Sequence, residues 1–172
     1  IVQRACAMLL SPIYDHDFYG FSHGFRTGHS QHGALKELER KCWGMNINWI
    51  VDADVSGFFD NLDHGILREF IQKRVNDGGI KRLIGKWLNA GVVEEGQRTR
   101  SEQGTPQGGV ISPLLANIFL HYVLDEWFVK DVQPRMRGRC FLVRYADDFI
   151  IGFETESDAR RVMEVLPKRF AR

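Results

Sequence analysis

The chain has 172 residues and a mass of 19.8 kDa, one domain's worth on the usual length scale. An apolar share of 44%, a charged share of 26% and a net charge of +1 are the balance of a globular protein, which excludes a disordered, collagen-like or membrane-spanning chain. Total charge announces no nucleic-acid partner, so any basic surface has to be local.

The cysteines Cys6, Cys42 and Cys140 are widely spaced with no Cys-x-x-Cys, which argues against a disulfide framework and a zinc cage and suits a reducing cytosol. The chain starts at Ile1 inside an amphipathic run, without a signal segment, and reads as a piece of a longer protein.

In chain order, the pattern predicts a first helix over residues 1–10, ended near Pro12. Residues 14–29 show no period and read as loop. Ser30 caps a second helix with Leu35, Leu38 and Cys42 on one face and Gly44 after it. Residues 47–55 alternate as a strand, with Ile47, Trp49, Val51 and Ala53 on one face and Asn48, Ile50, Asp52 and Asp54 on the other. Asp63 caps a helix striped by Ile66, Leu67, Phe70 and Ile71, which Gly78-Gly79 breaks. Ile80, Leu83, Ile84, Trp87 and Leu88 stripe the next helix, closed by Gly91.

Residues 92–109 read as a short hairpin and a Gly-rich loop. Ser112-Pro113 opens a helix reaching about Phe128, apolar nearly all round and therefore buried. Residues 140–145 and 149–153 form a tight hairpin around Ala146-Asp147-Asp148. Ser157 caps a last helix with Val162, Met163 and Leu166 inward. The order is a split β-α-β-β-α-β pattern without its final strand, an α+β fold. The edge that strand would cover is expected to be exposed. Trp43, Trp49, Trp87 and Trp127 lie on or beside apolar stripes and read as core.

Asp147 and Asp148 are adjacent carboxylates in a turn between apolar strands. Asp favours turns for its own hydrogen bonding, so the pair reads either as a plain turn or as a like-charge site that a cation neutralises. Asp54, at the end of a separate strand, favours the second reading if that strand lies beside the hairpin. A few carboxylates suit Mg²⁺. Two such ions about 4 Å apart can activate a hydroxyl and stabilise a leaving group in phosphoryl transfer. Asp52 lies about 6–7 Å before Asp54 along the strand and reads as a neighbouring or solvated carboxylate. Asp60 and Asp63 read as turn and cap residues. His23, His29 and His32 have no thiol beside them, which speaks against zinc. Lys130, Arg135, Arg137, Arg139 and Arg144 form a basic stretch with Asp131 as its only acid, either a solvated loop or a phosphate contact.

Four segments resemble a known family. Tyr145-Ala146-Asp147-Asp148 resembles the Tyr-x-Asp-Asp box of reverse transcriptases, and residues 54–60, Asp-Val-Ser-Gly-Phe-Phe-Asp, resemble their first carboxylate motif. Residues 104–117, Gly-Thr-Pro-Gln-Gly-Gly-Val-Ile-Ser-Pro-Leu-Leu-Ala-Asn, are similar to the template-and-nucleotide motif of group II intron reverse transcriptases. Residues 22–29 resemble a further family segment, departing from it at His23, Thr27 and His29 while Arg26 keeps it.

The resemblance implies a right-hand polymerase palm with a partial helical fingers portion. Its expected boundaries are fingers 1–45, palm 46–75, fingers insertion 76–108 and palm 109–172. It implies that Asp54 and Asp147 ligate two Mg²⁺ ions, with Mn²⁺ as a substitute. Asp148 would assist and the Val55 carbonyl would complete a metal shell. Phe59 would be a steric gate under the incoming sugar, Gln107 would touch the nucleotide, and Gly108 would allow close approach. Arg26, Arg137, Arg139 and Arg144 would contact nucleic acid.

The implied function is RNA-directed DNA synthesis from dNTPs on a DNA primer and RNA template, with intron RNA binding and a maturase role in the whole protein. No membrane is implied, the setting is bacterial cytoplasm or an organellar matrix, and the oligomeric state is open, a dimer included. The alternatives are a retron, diversity-generating or CRISPR-associated reverse transcriptase, or a catalytically silent RNA-binding scaffold. The 172-residue piece alone is expected to be a poor polymerase, because a triphosphate-gripping segment and a thumb would lie outside it.

Overall fold

The computed structural model describes residues 1–54, 58, 62–89, 92–94, 97–99 and 109–171. The chain divides into two compact units. One joins Ile1–Asp17 to Val55–Phe119, the other Phe18–Asp54 to Leu120–Arg172.

In the first unit, α1 spans Val2–Asp15 and runs through Pro12. A helix-interior proline forfeits one backbone bond, yet the last turn holds because Leu10 and Tyr14 are buried and the Tyr14 hydroxyl donates to the Ile71 carbonyl at 3.0 Å. The helix α3, His64–Gln72, and the helix α4, Gly78–Leu88, are capped by Asp63 and Asp77, which accept from the Ile66 and Ile80 amides. Gly78-Gly79 therefore opens α4 rather than breaking a helix, since the Asp77 cap supplies the start signal. Leu67, Ile71, Ile84 and Leu88 form the buried stripes. The strands β2, Val92–Glu94, and β3, Gln97–Thr99, pair antiparallel. The helix α5 spans Ser112–Leu120.

The second unit is built on a three-stranded antiparallel sheet, ordered β1 (Trp49–Ala53), β5 (Asp148–Phe153), β4 (Cys140–Tyr145). Register sets Val51 and Leu142 on either side of Ile151. Alternation then puts Val51, Leu142, Arg144, Phe149 and Ile151 on one face, the face on which Phe149 stacks with Phe170 of α6, Glu156–Phe170. On the other face, α2 (Gln31–Gly44, capped by Ser30) lays Ala34 against Phe141 and Val143. Leu38 and Cys42 join that contact. Leu35 does not, being 62% exposed; the packed stripe starts one residue earlier.

Also in the second unit, His121–Asp125 and Phe128–Val132 are π-helical and a short 3₁₀ turn follows over Gln133–Arg135. The apolar run thus extends past Phe128. Thr155, not Ser157, holds the N-cap position of the last helix; its side chain makes no capping bond to the backbone, and its hydroxyl instead donates to Asp158 at 2.9 Å. Met163 is exposed while Val162 and Leu166 are buried. Trp43 and Trp49 are exposed, not core. Among the described residues, no helix is long and apolar enough to cross a membrane.

Candidate active site

The carboxylates lie towards one end of the sheet. Tyr145 pairs with Asp148, so Ala146 and Asp147 are the two central residues of the β4–β5 turn. Ala146 has φ +57°, a left-handed conformation that costs a non-glycine residue about 1–2 kcal/mol and whose hand matches a two-residue hairpin. On the other side of β5, Ala53 pairs with Phe149. One further step of that register sets Asp54 across from Asp148.

The electrostatics carry the mark of this crowding. Partial burial, and then the negative charges of Asp147, Asp54 and Asp52, push the Asp148 carboxyl above the usual carboxylate range. Asp147 is half-buried, while Asp54, Asp52 and Asp148 are exposed. Among the described residues, no three His, Cys, Asp or Glu side chains are drawn together as a ligand set. The donors are all hard oxygens, the chemistry that suits Mg²⁺.

A strap crosses the free side of β4. Ser22 bridges Arg144, the Arg144 amide donates to the Phe21 carbonyl at 2.9 Å, and the His23 amide donates to the Arg144 carbonyl at 2.8 Å. Residues 18–29 therefore do more than link elements. His23 is buried, with its Nε2 2.8 Å from Glu37 and its Nδ1 3.2 Å from His29. Burial pushes the Glu37 carboxyl up, but Lys41 and His23 outweigh that and hold it below its ordinary value.

The basic residues sort differently from expectation. Arg144, expected to contact nucleic acid, is fully buried. It shares the inward face of β4 with Cys140 and Leu142, and it forms a two-pronged pair with buried Asp125, Nε–Oδ1 2.9 Å and NH2–Oδ2 2.6 Å. Its NH1 donates to the Ala146 carbonyl at 2.7 Å. Arg26 spends one terminal nitrogen on the Tyr19 and Ser22 carbonyls and lies over the Phe18 ring, bracing its own loop. Arg139 pairs with Glu154, and Arg137 is exposed. Val55, Phe59, Gln107 and Gly108 lie outside the described residues. Asp125 escaped notice in the sequence, although an acid inside an almost wholly apolar helix was its signal.

A sheet with carboxylates at the β4–β5 turn and at the end of β1 is the palm arrangement of a polymerase. The sequence pattern of the reverse transcriptase (RNA-dependent DNA polymerase) family matches residues 1–172, and the chain belongs to that family. It is 44% identical over 130 residues to the group II intron-encoded protein LtrA of Lactococcus lactis subsp. cremoris, covering 76% of this chain and 21% of that one. Protein YkfC of Escherichia coli (strain K12) is 33% identical over 179 residues, 88% of this chain and 47% of that one. The chain thus spans from about a fifth to about half the length of these relatives. Among solved structures, telomerase from Candida albicans with a fragment of telomeric RNA superposes with a TM-score of 0.66 at 13% identity, over 96% of this chain and 30% of that one. That likeness is one of fold.

Proposed function

We propose that the chain is the fingers-and-palm part of an RNA-directed DNA polymerase of the group II intron type, which extends a DNA primer on an RNA template with dNTPs. The observation that carries this reading is that Asp147 and Asp54 lie near enough to Asp148, at one end of the sheet, for their charges to add to burial in raising its carboxyl. Like charges gathered at a rim are unfavourable unless a cation offsets them. When bound, two Mg²⁺ ions supply neutralisation of phosphate charge and a more acidic primer 3′-hydroxyl.

In this reading Asp54 and Asp147 hold the ions, Asp148 assists, and the Val55 carbonyl adds an oxygen. Phe59 closes the space beneath the sugar, Gln107 meets the nucleotide, and Gly108 lets the backbone come close. RNA is gripped through its backbone and 2′-hydroxyls. In the whole protein the same part binds its intron RNA and assists its folding, a maturase role supported by the likeness to a group II intron-encoded protein and to nuclear intron maturase 1 of Arabidopsis thaliana.

The test is primer extension on an RNA template by the full-length protein with Mg²⁺ varied. Asp147→Asn keeps the side chain's size but removes the charge, and abolishes extension, whereas Asp52→Asn is much milder. Near-normal extension by Asp147→Asn overturns the assignment.

A further inference from the structure

Among the described residues, no Lys or Arg other than Arg144 is buried. Taking a guanidinium and a carboxylate out of water is costly, and an apolar pair of similar volume often serves stability as well or better. Stability alone therefore does not account for the Arg144–Asp125 pair. An apolar pair could not do what the third arm of the guanidinium does: NH1 holds the Ala146 carbonyl at 2.7 Å.

That carbonyl belongs to the peptide plane joining Ala146 to Asp147. Its orientation fixes the direction in which the Asp147 backbone leaves the turn, at the point where φ of Ala146 is +57°. The root of the Arg144 side chain is fixed as well, since its own amide and carbonyl are bonded to Phe21 and His23. Nε and NH2 are committed to the two oxygens of Asp125, which stands on the wide π-helical turn His121–Asp125. A rigid fork with all three nitrogens engaged has little freedom left.

We infer that Arg144, held by Asp125, is a positioning residue for the carboxylate turn: it fixes the Ala146–Asp147 peptide, and through it the Asp147 carboxylate, in the geometry that binds the catalytic cation. The inference rests on the polymerase reading above. It explains a buried ion pair two residues before an acidic turn, and it removes Arg144 from the nucleic-acid surface.

The test replaces the pair by apolar residues of similar size, Asp125→Leu with Arg144→Met, in the full-length protein. Three readouts are taken: thermal unfolding, amide hydrogen exchange across residues 146–148, and primer extension as a function of Mg²⁺. The double variant unfolds no earlier than the wild type, yet exchange at the turn is faster, half-saturation by Mg²⁺ moves to higher concentration, and kcat falls about 10²-fold, the effect of a misplacement of roughly 1 Å, with KM for dNTP little changed. A merely structural pair would move stability and activity together. Wild-type exchange at the turn with wild-type Mg²⁺ dependence in the double variant overturns the inference. If the double variant does not fold, Arg144→Lys decides by the same readouts. It keeps the charge but cannot reach Asp125 and Ala146 together, so unchanged exchange and kcat there also overturn it. If the wild type itself shows no metal-dependent extension, the polymerase reading fails, and amide exchange at the turn still decides whether the pair holds it.

Discussion

Gly24 and Ala146 meet backbone to backbone: a β-carbon on Gly24 would stand 2.9 Å from the Ala146 α-carbon and closer still to its amide nitrogen. Position 24 admits no side chain because the strap of residues 21–24 is hydrogen-bonded along β4 and cannot back away. Gly24→Ala should push the strap and the carboxylate turn apart, destabilise the protein by about 1–3 kcal/mol as overpacking does, and depress primer extension by the full-length enzyme. Gly20 has nothing within 4 Å of its β-position, so Gly20→Ala should stay within about 0.5 kcal/mol of wild type. Equal melting temperatures for the two variants would show that the strap yields.

The raised Asp148 carboxyl has a defined consequence for stability. Its proton is held more tightly in the folded than in the unfolded chain, so stability falls as pH rises from the ordinary Asp range through the raised value. The penalty is fully present above the raised value and is relieved in acid. Asp148→Asn should therefore stabilise the apo protein at pH 7, with the advantage shrinking as pH drops towards 4, the ordinary carboxylate range. Added Mg²⁺ should raise the wild-type melting temperature, because an ion bound only by the folded state stabilises it, and should do so less for Asp148→Asn. Thermal melts at several pH values, with and without Mg²⁺, check both points. A wild type that gains stability from pH 4 to 7 relative to Asp148→Asn would contradict the sign.

Much of this arrangement was legible in the sequence because it rests on local signals. Ser30 and Asp63 cap helices where their spacing said they would, and the period-two run through Val51 and Ala53 is a strand. The β4–β5 hairpin with its acidic turn falls where two apolar runs flank Ala146 and Asp147. Tertiary choices were not legible. An arginine in β4 reads as a solvent contact until Asp125, 19 residues earlier, is seen to face it. Residues 21–24 lack a period because they pair through one bridge and two amides, not through a ladder. Pro12 sits inside a helix because the burial of Leu10 and Tyr14 outweighs a missing bond.

Asp158 is a purely structural carboxylate and should titrate in the opposite sense to Asp148. Burial pushes its carboxyl up, but the Gly138 amide, the Thr155 hydroxyl and the Arg137 amide outweigh this and hold it below the ordinary range. Those donors lie at 2.9, 2.9 and 3.0 Å from Oδ2, so one oxygen ties the loop before β4 to the start of α6. Its contribution is present above the ordinary carboxylate range and is lost as pH falls through the lowered value. Asp158→Ala leaves two amides without their acceptor and should cost about 3 kcal/mol at pH 7, with a smaller difference from wild type in acid. Denaturant unfolding at pH 7 and pH 3 measures this, and a cost that grows in acid would refute the assignment.

Phe58 and Phe59 separate a core role from a sugar-reading one. Phe58 is buried and meets the Phe119 ring edge-on at 5.9 Å. Phe58→Ala should therefore cost about 3–5 kcal/mol, the usual cost of truncating a core Phe. Phe59 lies outside the described residues and is the ring proposed above to meet the sugar. A ribonucleotide differs from a deoxynucleotide by one hydroxyl, and an apolar pocket rejects an added hydroxyl by only about 10²-fold. Stronger rejection needs a clash built against the wrong sugar, and a phenyl ring beneath the 2′ position would supply one. In the full-length enzyme, Phe59→Ala should raise ribonucleotide use relative to deoxynucleotide use, while leaving the melting temperature closer to wild type than Phe58→Ala does. Single-nucleotide incorporation with each nucleotide type reads the ratio. An unchanged ratio in an active Phe59→Ala enzyme would remove Phe59 from the site.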